Sequence, residues 1–117
     1  MIKTILHISD THGLHHHLKD LPKADAVVHS GDFTLKGTQE EVMDFANWFL
    51  DLPYKYKIFI AGNHDDILFG RELSGMDKDS YYLCNSAVEI EGVRFYGLPM
   101  FVQDELIGTA TKNIERI

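Results

Sequence analysis

Ile58-Phe59-Ile60-Ala61-Gly62-Asn63-His64-Asp65 runs from four apolar residues straight into a glycine, an amide, an imidazole and a carboxylate. The same construction occurs twice earlier: Ile5-Leu6-His7-Ile8 leads to Asp10-Thr11-His12, and Ala26-Val27-Val28 leads to Gly31-Asp32. Apolar runs without polar alternation are the pattern of central strands in a parallel sheet covered on both faces. Ligands of open α/β sheets gather beyond the carboxyl ends of the strands. The three runs therefore predict an α/β fold in which Asp10, Asp32 and Asn63, distant in sequence, converge at one sheet edge.

The segments between the runs fit this reading. Thr38 can cap a helix, and Glu41, three residues on, completes a capping box in which each side chain satisfies an orphan backbone donor. Val42, Phe45, Ala46, Phe49 and Leu52 recur at helical spacing and give one apolar face to lay on the sheet, and Pro53 ends the helix. The first crossover, Leu14 to Leu21, offers about two helical turns before Pro22, and Asp66 to Leu73 offers another brief helix. Tyr81 to Cys84 reads as a short strand. Val88 and Ile90, then Val93 and Phe95, alternate across Glu91-Gly92, which predicts a tight β-hairpin. From Pro99 to Ile117 the pattern dissolves.

The 117 residues make one domain by length, with 44% hydrophobic and 25% charged residues, a composition that favours neither disorder nor a membrane span. A formal charge of -7 and a pI near 5.3 argue against non-specific nucleic-acid binding, since a phosphate backbone is repelled. A small anionic substrate then needs a cation to mediate. Residues Met1 to Leu6 lack the apolar core and cleavage site of a secretory signal, so a cytoplasmic location is expected. Cys84 is the single cysteine, which excludes an intramolecular disulfide and any multi-thiolate zinc site; its simplest role is apolar filler.

Each polar block alone is the pattern of a capped turn, because Asp, Asn and Thr bond their own backbone. The ordered set at strand ends favours metal binding. Carboxylate oxygen with imidazole nitrogen suits manganese, iron, zinc or magnesium more than copper(I). A carboxylate such as Asp32 can bridge two ions, and such a pair activates water while stabilising attacking and leaving oxygens.

With these blocks in order, the chain resembles the calcineurin-like metallophosphoesterase superfamily, whose pattern runs D-x-H, G-D, G-N-H-[DE] and then later histidine motifs. The resemblance covers essentially the whole chain, and Ser9 to Gly13, His29 to Thr34, Ile60 to Asp65 and Tyr96-Gly97-Leu98-Pro99 look nearest to its small metallophosphodiesterases. The resemblance implies that the chain is the N-terminal half of an αββα sandwich, mainly parallel strands followed by a β-hairpin. It implies Asp10 and His12 on a first ion, Asp32 bridging two, Asn63 on the second, and His64 as general acid, with Asp65 orienting His64. Asn63 and His64 would also contact substrate, a small phosphoester such as a nucleotide, and the reaction would be in-line attack of a bridging hydroxide on phosphorus.

The family's later T-H-x-P-P and G-H-x-H motifs, which complete the ligand set, have no counterpart here, and all seven histidines lie at or before His64. Two expectations follow: weak affinity for the second ion, and self-association through an uncovered apolar sheet surface. The readings carried forward are a metal-dependent phosphoesterase domain, truncated at residue 117, and an inactive truncated metal-binding module acting through a partner. A nucleotide-binding domain without hydrolysis is disfavoured, since neither G-x-G-x-x-G nor a Walker lysine follows the first strand.

His15-His16-His17 reads as a solvated loop or helix start, because three adjacent side chains diverge on any regular element; one of them lining the site mouth is the functional option. His7 and His29 read as packed and hydrogen-bonded, and Trp48 as packing at the edge of the helix's apolar stripe.

Overall fold

The computed structural model describes residues 2–62, 65, 68, 76 and 78–98. Four parallel strands, β1 (Ile5–Ile8), β2 (Ala26–His29), β3 (Tyr56–Phe59) and β4 (Ser80–Tyr82), form a sheet in the order β1-β2-β3-β4. Helix α1 (Gln39–Leu50) crosses between β2 and β3, and an antiparallel hairpin, β5 (Ser86–Ile90) and β6 (Val93–Gly97), follows. The register sets His7 beside Val28 and Val28 beside Ile58, so the three strands end in line. That alignment delivers the three following loops to the same edge.

The expected helix forms with its expected cap. Thr38 Oγ1 accepts from the Glu41 N–H at 3.2 Å, and the Glu41 carboxylate reaches back to the Thr38 N–H. The same carboxylate also accepts from the amides of Leu35 and Lys36, at 2.7 and 3.0 Å, and so fixes the chain between Asp32 and the helix. Val42, Phe45 and Phe49 are buried on one helix face. Phe45 stacks on Phe33 with centroids 4.0 Å apart, which pins the residue after Asp32 to the helix.

Strand alternation splits the core into two. Val27 and Phe59 join the α1 face with Phe33, Phe45, Phe49 and Ala61. Ala26, Tyr56 and Ile58 turn to the other face and pack with Leu83 and Ile90, with Val88, Val93 and Phe95 of the hairpin against them. The hairpin turn has Glu91 at φ 48° and Gly92 at φ 84°, the double left-handed conformation that matches strand twist.

Several boundaries differ from expectation. Among the described residues β1 is an edge strand, and Ile5 and His7 are exposed, because no strand pairs on its outer side. The crossover after β1 holds a single turn of 3-10 helix, His15–His17, where two turns were expected, since Asp20 takes a left-handed φ of 54° and Pro22 follows closely. Trp48 packs against the main core as expected, and β4 begins one residue before Tyr81. The expected helix at 66–73 and the segment from Pro99 lie outside the described residues, apart from Leu68, which is buried. The large exposed hydrophobics among the described residues are Ile5, Leu14, Leu35 and Met43. No described helix is long and apolar enough to cross a membrane.

Candidate metal centre

Past the strand ends, backbone hydrogen bonds continue between the loops. The Asp10 N–H donates to Gly31 O, the His12 N–H to Asp32 O and the Gly13 N–H to Phe33 O, each at 2.9 Å. This ladder sets the Asp-Thr-His loop alongside the Gly-Asp-Phe loop. Asp10, His12 and Asp32 all take left-handed φ values, 54°, 46° and 59°, which turn their side chains toward one another at a cost in backbone strain. One ligand atom from each lies within 4.8 Å of the others. Two carboxylates and an imidazole at that spacing fit a manganese, iron, zinc or magnesium ion. Asp10 is exposed, His12 and Asp32 are half-buried, so the cluster opens to solvent. The Asp10 carboxyl is held below its ordinary range, first by a hydrogen bond from Ser9, then by its contact with Asp32 and the nearby His12.

The glycines of the second and third blocks are there because the loops nearly touch. A Cβ at Gly31, whose φ is +107°, falls 2.7 Å from Gly62 N, and one at Gly62 falls 2.2 Å from Asp32 Oδ1 and 2.5 Å from Asp32 N. No side chain fits between these backbones.

Asp65 ties the same two loops together. It is fully buried, and its carboxylate accepts from the amides of Phe33 (3.1 Å), Thr34 (2.9 Å) and Gly62 (3.0 Å) and from the Thr34 hydroxyl (2.7 Å). Its expected role toward His64 lies outside the described residues, as do Asn63 and His64 themselves. What the structure assigns to Asp65 is the joining of the Gly31-Asp32 loop to the Gly62 loop, which the motif pattern alone did not reveal.

His29 is the second hidden support. It is fully buried among Phe33, Phe45 and Phe49, as its reading as a packed residue expected. The Gly31 N–H donates to its Nδ1 at 3.1 Å, so the ring proton is on Nε2 and is donated to Thr11 Oγ1 at 2.9 Å. One imidazole thereby links the middle of Asp10-Thr11-His12 to the residue before Asp32. His7 bonds Ser30 Oγ at 2.7 Å, reinforcing the pairing from the opposite strand face.

Burial pushes the His29 pKa down to about 3. Between pH 6.5 and 3 the unfolded chain therefore holds a proton that the folded one excludes, and stability falls as pH falls. The expected slope is roughly 1.4 kcal/mol per pH unit below pH 6.5. The carboxyls with lowered pKa values, Asp10, Asp25, Glu41, Asp44 and Glu91, lose their contributions from about pH 5 downward, so the range from pH 6.5 to about 5 isolates the histidines. Urea unfolding of His29→Gln across that range should show a shallower slope than wild type; an unchanged slope contradicts the assignment.

Against this geometry, the calcineurin-like phosphoesterase family model matches residues 3–109. A UPF0046 protein of Caenorhabditis elegans is 37% identical across 79% of this chain, which covers 39% of that relative. Metallophosphoesterase domain-containing protein 1 of Homo sapiens is 33% identical across 79% of this chain, covering 36% of its length. The chain thus spans under two fifths of these relatives. With the family's first two blocks assembled at one sheet edge by this fold, the chain belongs to the calcineurin-like phosphoesterase family.

Proposed function

We propose that this chain contributes the first half of a metal-dependent phosphoesterase site, acting on small phosphodiesters with manganese as the preferred ion. The observation that carries this reading is the approach of Asp10, His12 and Asp32, three hard or borderline ligands within 4.8 Å, at the carboxyl edge of a parallel sheet. Asp10 and His12 would hold one ion and Asp32 would lie between two, with Asn63 on the second by position in its motif. When bound, the ions supply Lewis acidity to phosphoryl oxygens and lower the pKa of a water toward neutrality.

The protein's own residues have separable tasks in this scheme. The left-handed turns at Asp10, His12 and Asp32 fix the ligand directions before any ion arrives. Asp65 holds Gly62 against the loop of Asp32, and His64 takes, by its position in the motif, the proposed task of protonating the leaving oxygen. The net charge of -7 opposes an anionic ester, which makes cation binding the precondition for substrate binding.

A second reading, a metal-binding module that turns over only with a complementary polypeptide, draws on the described cluster offering three ligand groups, Asp10, His12 and Asp32, fewer than two ions take. Hydrolysis of an aryl phosphodiester with manganese, with and without a separate polypeptide carrying the family's later histidine motifs, tests both. Manganese-dependent turnover by either mixture supports the proposed chemistry, and turnover only on complementation favours the second reading. No manganese-dependent turnover in either contradicts the phosphoesterase assignment.

A further inference from the structure

We propose that His15, His16 and Asp44 form a second cation site, distinct from Asp10, His12 and Asp32, that takes a zinc-class ion. One ligand atom from each of the three lies within 4.8 Å of the others. The sequence argument that adjacent histidines diverge is overcome here by the tight 3-10 turn and by a carboxylate from a different element. His15 Nε2 lies 2.8 Å from Asp44 Oδ2, and His16 Nε2 lies 3.0 Å from both Asp44 oxygens. Two imidazole nitrogens therefore aim at one carboxylate, which is the donor set of a two-histidine, one-carboxylate site.

The burial of the three residues suits an ion. The His15 side chain is 1% exposed, wedged against Phe45 and Trp48 with ring centroids 5.6 and 5.1 Å away, and so is a fixed ligand. His16 and Asp44 are 58% and 54% exposed, able to swing outward by the few tenths of an ångström that separate a hydrogen bond from metal-ligand spacing. Solvent reaches the cluster from their side. Among the described residues His15 Nδ1 is buried with no hydrogen-bond partner, so His15 presents the other ring nitrogen, Nε2, to the cluster.

Occupancy would join the turn directly after the Asp-Thr-His loop to the middle of α1, bracing the mouth of the main site from outside. The inference does not depend on what the main site binds, and its test removes that site. Calorimetric zinc titration of the Asp10→Asn/Asp32→Asn protein should give one equivalent bound. His16→Gln and Asp44→Asn in that background should each weaken binding by roughly tenfold or more, with unchanged far-UV circular dichroism, and should abolish the zinc-dependent rise in melting temperature. His17→Gln, outside the cluster, should leave the affinity as it was.

Zinc binding that survives Asp44→Asn, or that His17→Gln weakens as much as His16→Gln does, marks an unstructured histidine chelate and overturns the proposal. Absence of zinc binding in the double variant overturns it as well, provided that wild type loses no zinc equivalent on Asp44→Asn. A loss of one equivalent in wild type supports the site even if the double variant fails to fold.

Discussion

Asp65→Ala should lose about 4 kcal/mol of unfolding free energy, read as a lowered urea midpoint. The substitution leaves three buried backbone amides, those of Phe33, Thr34 and Gly62, and the Thr34 hydroxyl without their acceptor. Each buried donor left unsatisfied costs about 1–3 kcal/mol, with some recovered by entering water. Against the roughly 5–15 kcal/mol that holds a domain of this size, the loss is a large fraction. Asp65→Asn is the informative companion. Each carboxylate oxygen accepts two of the four hydrogen bonds, so either orientation of the amide sets an NH2 against donors. Asn should therefore recover little. Recovery to near wild type by Asn would mean that Asp65 acts by filling space and not as an acceptor.

Asp32→Ala should weaken manganese binding by roughly 100-fold or more and bring any manganese-dependent phosphodiester hydrolysis to the level without enzyme, because in the proposed scheme Asp32 is the carboxylate that would lie between two ions. The fold should survive. Asp32 is half-buried, and the support for its loop comes from neighbours: Phe33 on the helix, the Phe33 and Thr34 amides on Asp65, and the Gly31 amide on His29. Intact circular dichroism with lost manganese affinity is the expected pair of results. Retained affinity would remove Asp32 from the ligand set.

The separation of ligand from support explains what the sequence disclosed. The parallel strands were legible because burial on both faces forces continuous apolar runs, and α1 because a capping box and a helical stripe are local signals. The grouping of Asp10, His12 and Asp32 was legible because motifs at strand ends need only the strand order to be placed. The supports were not. Asp65 reads as the last member of a metal motif, yet its carboxylate reaches back more than thirty residues to Phe33 and Thr34, a contact that depends on the closeness of Gly31 and Gly62. His29 was expected to be packed, but its bond to Thr11 depends on the register of β1 against β2. The pairing of His15 and His16 with Asp44 needed the docking of the 3-10 turn on α1. The edge place of β1 among the described strands was not legible for a related reason: Ile5-Leu6-His7-Ile8 is apolar enough for a central strand, and only sheet order puts it outside.

The most direct test of the central claim, that this fold gathers Asp10, His12 and Asp32 around an ion, is an anomalous difference map from crystals soaked in manganese, collected at the manganese edge. The account predicts a peak about 2.0–2.3 Å from a carboxylate oxygen of Asp10, a ring nitrogen of His12 and a carboxylate oxygen of Asp32. Manganese bound elsewhere with that cluster empty, or held there without Asp32, would contradict it.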